Sequence, residues 1–482
     1  MKATSIFGGV QVFNIIISII RSKFIAILLG PTGMGIAGLL LSTLGLIGSI
    51  TNFGLGTSAV RNVSFAASTG DTKQIRTTVT IVRRLFWITG LLGTVLTIIL
   101  SPYLSELTFG NRDYTFAFVF IAVTLLLSQL SSGQLVILQG LRKLKYLAKA
   151  DMAGMLVALF VSIPLYYKFG VKGIVPAIII SSFLTLFFSW YFASKVKITK
   201  INVGSTIFKS ESKAMLTMGF MLGLSGIITV AASYIIKIFI GRTGGLDQVG
   251  LYSAGFAIIN TYVGMIFTAM TTDYYPRLSE VSSDNIETKN VINSQAEIAI
   301  LILAPILIGF LTFVDLAVII LYSSKFSGVN GMLHWAALGM FFKTVSWAIG
   351  FVFLAKGASK LFFWNELGGN IYILLLNILG YYFYGLNGLG LSFLIGYILF
   401  FFQVFLVAKK YYNFKIEKAI YKIFILQFLL GLLCFILVKI SSTPYSYLYG
   451  ILLLILSGSY SYFELDKRLD IRTMLNNLMR KK

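Results

Sequence analysis

The sequence predicts an all-α, polytopic membrane protein with about fourteen transmembrane helices, arranged as two six-helix bundles in parallel repeat plus a C-terminal hairpin. Three observations predict it. Hydrophobic residues make up 57% of the 482 positions and charged residues only 12%, with a strongly positive mean hydropathy; such values fall outside the globular range. Charge-free runs such as Ile36 to Val60, Tyr114 to Leu141, Gly173 to Ser194 and Ile440 to Phe463 exceed the roughly 20 residues that cross about 30 Å of hydrocarbon. Finally, a shift of 215 residues lays the second half of the chain over the first.

In chain order the spans fall at 5–29, 36–60, 79–103, 115–140, 147–167 and 173–194, then 214–240, 249–275, 295–322, 331–354, 361–383 and 388–408, and last 420–439 and 444–463. Lys2 before an apolar stretch suggests a signal peptide. The stretch is too long and lacks an Ala-x-Ala site, so it reads as an uncleaved first span. Under the 215-residue shift Gly8 meets Gly223, Gly30 meets Gly245, and Tyr166, Tyr167, Gly170 and Gly173 meet Tyr381, Tyr382, Gly385 and Gly388. The run YYxxGxxG recurring in one register marks a repeat. Six spans per copy keep both copies in the same orientation, with a substrate site expected between them. The expected domains are 1–205, 206–410 and an unrepeated 411–482 that holds the hairpin and a basic tail.

A net charge of +23 raises nucleic-acid binding, but the cations alternate by loop. Loops on the side of the N-terminus hold 28 Lys and Arg, the opposite loops 6, and the remaining 6 of the 40 lie within spans. The positive-inside rule then places both termini in the cytoplasm. The basic tail residues Lys467, Arg468, Arg472, Arg480, Lys481 and Lys482 suit contact with anionic membrane lipid. The lone Cys434 leaves no intramolecular disulfide and no metal cluster. Short loops offer no soluble catalytic domain, so no enzyme activity, cofactor or metal is expected.

The chemistry resides in the cations inside spans: Arg21 and Lys23 in the first, Arg83 and Arg84 in the third, Lys237 in the seventh and Lys343 in the tenth. Each costs roughly 2.5–3.5 kcal/mol at the bilayer centre unless paired or wetted. Gln11, Asn14, Ser18 and Arg21 lie on one helical stripe, as do Ser225, Thr229, Ser233 and Lys237. Acids at similar depth are few: Asp315, with Asp151, Asp273 and Glu366 near span ends, as candidates for coupling or gating together with Arg277. A surplus of positive charge therefore predicts a water-filled, anion-attracting cavity. Arg83 and Arg84 lie near a span end and read equally as cavity cations or as snorkelling side chains. Asp273 pairs equally well with Arg277 one turn on, and His334, out of phase with Lys343, reads as packing.

The segments GPTGMGIAGL (Gly30 to Leu39), TNFGLGTSAVRN (Thr51 to Asn62), LQGLRKLKYLAKADMAG (Leu138 to Gly154) and TTDYYPRLSE (Thr271 to Glu280) carry a family likeness. Over about residues 1 to 410 the chain resembles the Wzx-type polysaccharide flippases. These are the O-antigen and lipid III translocases of the multidrug/oligosaccharidyl-lipid/polysaccharide exporter superfamily. The resemblance implies a V-shaped pair of bundles in the bacterial inner membrane. It implies alternating access for an undecaprenyl-pyrophosphate-linked oligosaccharide whose phosphates meet Arg21, Lys23, Arg61, Lys237 and Lys343. A glycan polymerase and a chain-length regulator are the implied partners. Fourteen spans rather than twelve departs from the common-antigen members and is closer to the lipid II flippases. The alternatives are a multidrug or cation exporter of the same superfamily, which needs buried acids, and a membrane-embedded glycan polymerase or ligase, which needs a large outer loop.

Overall fold

The computed structural model describes residues 2–199, 201–442 and 444–470. The side chain of Gln11 and the tail cations Arg472, Arg480, Lys481 and Lys482 lie outside the described residues. Among the described residues there are helices and turns and no strands. In hydrocarbon each backbone amide must be satisfied inside its own segment, and long apolar runs meet that condition as helices.

Eleven helical runs among the described residues are long and apolar enough to cross a membrane. Three of them, Phe13–Asn52, Leu144–Ser194 and Ser359–Tyr412, have 40, 51 and 54 residues. At about 1.5 Å per residue each is long enough for two passages, so the eleven runs accommodate the fourteen expected ones. The chain turns inside each without leaving helical bonding for long. In α1 (Lys2–Asn52) the break is Gly30, with φ 66° and ψ −170°, followed by Pro31, which has no amide hydrogen to donate. The expected span 36–60 is shorter than the sequence suggested. Phe53 and Gly54 adopt left-handed φ, and the Asn52 side chain accepts from the Leu55 amide at 3.1 Å, which starts α2 (Leu55–Ser68).

The chain divides into two compact units, residues up to Ser253 with Leu321–Lys325, and Ala254–Ile320 with Phe326 onward. The first unit continues with α3 (Thr72–Phe109), whose N-terminus is capped by Asp71 accepting from the Lys73 amide at 2.8 Å. Next come α4 (Thr115–Gly140), α5 (Leu144–Phe169), a single tight turn over Gly170–Gly173, α6 (Ile174–Ser194) and α7 (Ser205–Gly244). Helix α8 (Leu246–Ala257) carries the chain onward. One core of this unit gathers Ile36, Leu40, Phe118, Ile121 and Ile174; a second gathers Leu55, Val63, Val82, Phe86 and Ile137. Helix α7 packs on α1, α2 and α3, which keeps it in the first unit, although the expected sequence division places it in the second half.

The second unit holds α9 (Met265–Glu280), α10 (Asn285–Thr312), α11 (Val314–Leu321), α12 (Asn330–Ala355), α13 (Ser359–Tyr412), α14 (Lys418–Ile440) and α15 (Tyr445–Leu469). Its core packs Tyr274, Ile300, Val345, Ile349, Phe353 and Val404. The hairpin α14–α15 covers α10. It is fastened by buried Gln427, which donates to Ser461 Oγ at 2.9 Å and accepts from Ser457 at 2.6 Å. Arg468 also reaches Glu297 of α10 and Glu464 of its own helix, each at 2.6 Å.

The 215-residue interval reappears in backbone geometry. Helix α4 spans 115–140 and α12 spans 330–355; α5 begins at 144 and α13 at 359. Left-handed residues recur at the same spacing: Gly30 and Gly245 (φ 66° and 87°), Arg142 and Gly357 (55° and 67°), Gly170 and Gly385 (54° and 57°). Arg142 is the only one of the six to adopt this conformation with a side chain, which is sterically costly.

Candidate functional site

In the second unit, Lys343 projects from the middle of α12 and its ammonium donates to Asn260 Oδ1 at 2.7 Å. Its Nζ also lies 5.6 Å from the Phe393 ring centroid and 5.1 Å from that of Tyr397, both on α13. Asn260 stands in Ile258–Val263, a single π-helical turn between α8 and α9. Such a turn fits one extra residue, which re-aims the side chains around it, and it recurs at functional sites. Here it presents a neutral amide oxygen to a cation that has no carboxylate. Glu366 on α13 is half-buried.

The other expected acids of this unit have neutral or surface partners. Asp315 accepts from the Asn330 side chain. Asp273 pairs with Arg277 at 2.8 Å on an exposed helix face, and Arg277 also donates to Gln295 Oε1 at 3.1 Å. His334 bonds the Asn330 carbonyl at 2.8 Å and packs against Phe435 of α14.

In the first unit, Lys237 on α7 donates to the Ser42 hydroxyl of α1 at 2.8 Å. Thr229, two turns earlier on the same helix, donates to the Ser225 carbonyl at 3.1 Å. Arg61 on α2 is exposed and its guanidinium lies 2.7 Å from Met218 Sδ, a weak acceptor. Arg21 and Lys23 are half-buried on α1. Asp151 accepts from Asn14 of the same polar stripe at 2.6 Å, which leaves that acid bound to an amide rather than to a cation. Arg83 and Arg84 on α3 line a cavity of about 1010 Å³ together with Lys197. Arg83 is half-buried, and its Nε is buried without a hydrogen-bond partner. Arg84 is exposed, 3.5 Å from the Val203 carbonyl and 5.9 Å from the Phe208 ring.

Among the described residues, Arg21, Arg61, Arg83, Arg84, Lys237 and Lys343 make no salt bridge. Where they have partners, these are hydroxyl, amide, thioether, carbonyl or aromatic groups. Such an arrangement leaves net positive charge available to a bound anion. Sequence reading did not single out Ser42, Asn260 or Lys197. Asn260 carried a signal, being a lone amide in the apolar run Gln248 to Thr272; Ser42 and Lys197 carried none.

With this geometry in hand, a family profile described as polysaccharide biosynthesis protein matches residues 24–330. The chain belongs to that family. A protein of Shigella flexneri named as an O-antigen transporter is 26% identical over 359 residues, covering 72% of this chain and 82% of that protein. The lipid III flippase of Escherichia coli K12 is 20% identical over 347 residues, with the same coverages of 72% and 82%. Among solved structures, the lipid II flippase MurJ in an inward closed conformation superposes with a TM-score of 0.73 at 15% identity, covering 96% of this chain and 99% of that one. An inward-facing MATE multidrug transporter of the MOP superfamily superposes at 0.69 and 15% identity, covering 86% and 96%. The fold of this polysaccharide biosynthesis protein is thus that of a multi-pass membrane transporter.

Proposed function

We propose that the protein flips a polyprenyl-pyrophosphate-linked oligosaccharide, an O-antigen unit or a similar repeat, from the cytoplasmic to the outer leaflet of the bacterial inner membrane. Both termini lie in the cytoplasm in this reading, which the distribution of Lys and Arg among the loops supports. The single observation that carries it is the pair of intramembrane lysines, Lys237 and Lys343, each held by a neutral partner and neither in a salt bridge among the described residues. A carboxylate partner would cancel the charge; Ser42 and Asn260 orient Lys237 and Lys343 without cancelling it. Arg21, Lys23, Arg61, Lys237 and Lys343 serve the pyrophosphate and any acidic sugars in succession. Lysine and arginine suit phosphate as charge-assisted donors. Each contact stays modest, so the head leaves on the far side as the protein alternates access.

Asp151, Asp273, Arg277, Asp315 and Glu366 take coupling or gating roles in this scheme. A glycan polymerase and a chain-length regulator receive the product. The likeness to a MATE transporter supports a second reading, export of organic cations, and half-buried Glu366 is the acid such a ligand would meet, since Asp151 and Asp315 accept hydrogen bonds from Asn14 and Asn330.

The test is Lys343→Met and Lys237→Met, which keep length and apolar packing, in cells that depend on this protein for surface glycan. Surface glycan falls at least about tenfold in the Lys343 variant, the loss of roughly one charge-assisted contact, while lipid-linked sugar accumulates on the inner leaflet. Export at the wild-type level in both variants, at matched protein abundance, rejects the reading.

A further inference from the structure

The cavity beside Arg83 lies wholly within the first unit, formed by α3, α4, α6 and residues 196–199 and 201. Its polar side carries Arg83, Arg84 and Lys197, and no acidic residue is among the residues that line it. Its other side is aromatic: Trp87, Phe183, Phe187 and Trp190 line it and are 49%, 56%, 46% and 56% exposed. Such rings sit on helices whose outer faces are too apolar for water, so the opening meets lipid. Two tryptophans on the rim mark the level where hydrocarbon gives way to headgroups. The basic segment Lys195 to Lys213 lies on the same side, the side that carries most of the loop cations.

We infer that this cavity binds the head of an anionic phospholipid, with Arg83, Arg84 and Lys197 around its phosphate and its acyl chains along Phe183 and Phe187. An apolar ligand alone would leave three cations and the buried Arg83 Nε unanswered. A soluble anion would leave the aromatic rim uncovered. A phospholipid satisfies both at once, and basic pockets between helices on the cytoplasmic side are a recurring form of lipid site. A phospholipid is chosen over an isoprenoid pyrophosphate because it is the bulk solvent of that outer surface and needs no recruitment. The site is separate from Lys237 and Lys343, and its occupation requires no transport.

The experiment uses the full chain in nanodiscs, with phosphatidylglycerol and phosphatidylethanolamine in competition. Native mass spectrometry of the released protein finds phosphatidylglycerol retained over phosphatidylethanolamine by about tenfold. The ratio drops to parity in Arg83→Gln with Arg84→Gln. Lys197→Gln, at an exposed loop position where folding is not at stake, lowers the ratio part of the way. Brominated phosphatidylglycerol quenches wild-type tryptophan fluorescence more than brominated phosphatidylcholine, and Trp87→Phe with Trp190→Phe removes that difference. Equal retention of the two lipids by the wild type overturns the proposal. Retention of undecaprenyl pyrophosphate with none of phosphatidylglycerol overturns it too, by assigning the cavity to the carrier lipid. Because no glycan substrate is present, either failure leaves the transport reading standing.

Discussion

Lys237 in the first unit and Lys343 in the second are both lysines deep in apolar helices, yet they are held differently. Lys237 has one hydroxyl, Ser42, from the neighbouring helix α1. Lys343 has an amide oxygen delivered by a π-helical turn and two aromatic faces from α13. A hydroxyl turns freely and lets its cation swing, whereas the amide and the rings fix theirs in place. The comparison teaches that a lysine in an apolar helix can be met by neutral dipoles alone, and that the number of those dipoles sets how firmly it is positioned. In a flippase the looser lysine suits passing contact and the tighter one suits a defined station.

The units differ most sharply at a backbone position. Gly54 has φ 65°, and a Cβ there would collide with the Gly219 carbonyl of α7. The residue 215 positions later is Ala269, inside helix α9. Gly54→Ala is therefore expected to cost about 3 kcal/mol, from left-handed strain plus overpacking. Ala269→Gly, its mirror in the other unit, costs about 1 kcal/mol as a helical glycine. Thermal unfolding of the detergent-solubilised variants ranks the two, and equal shifts would erase this difference between the units.

A smaller effect sharpens the lysine comparison. Asn260→Leu leaves the Lys343 ammonium without its acceptor at a cost of about 2 kcal/mol, while Ser42→Ala costs Lys237 about 1 kcal/mol. Both are read as thermal shifts, with added polyphosphate restoring part of each if the freed cation takes up an anion. The smallest effect belongs to the surface pair. Asp273 and Arg277 are 75% and 48% exposed, so Asp273→Asn changes stability by no more than about 0.5 kcal/mol. A large loss of glycan export at unchanged stability in that variant is what the coupling role of Asp273 predicts, and unchanged export would leave it a surface partner alone.

Much of the architecture was legible before any coordinates. The spans were set by the lengths of apolar runs, and the interval by glycines at Gly30, Gly170, Gly245 and Gly385, each a left-handed position that a side chain disfavours. The early break at Gly54 was missed because Phe53 to Val60 continues an apolar pattern, and only the close approach of α7 requires the turn there. The cations themselves were visible as charges in apolar runs, but their partners were not. Lys237 and Ser42 are 195 residues apart and Lys343 and Asn260 are 83 apart.

The sequence by itself determined that the chain crosses a membrane many times, where several of its helices turn, and that more positive than negative charge enters the bilayer. These follow from local causes: apolar length, glycine geometry and residue charge. Only the tertiary structure decided that α7 packs with the first unit, that a π turn aims Asn260 at Lys343, and that Arg83, Arg84 and Lys197 share one cavity with aromatic walls. Those outcomes depend on which faces of distant helices meet, and an apolar face with no marked polar stripe gives no sign of its neighbour until it is packed.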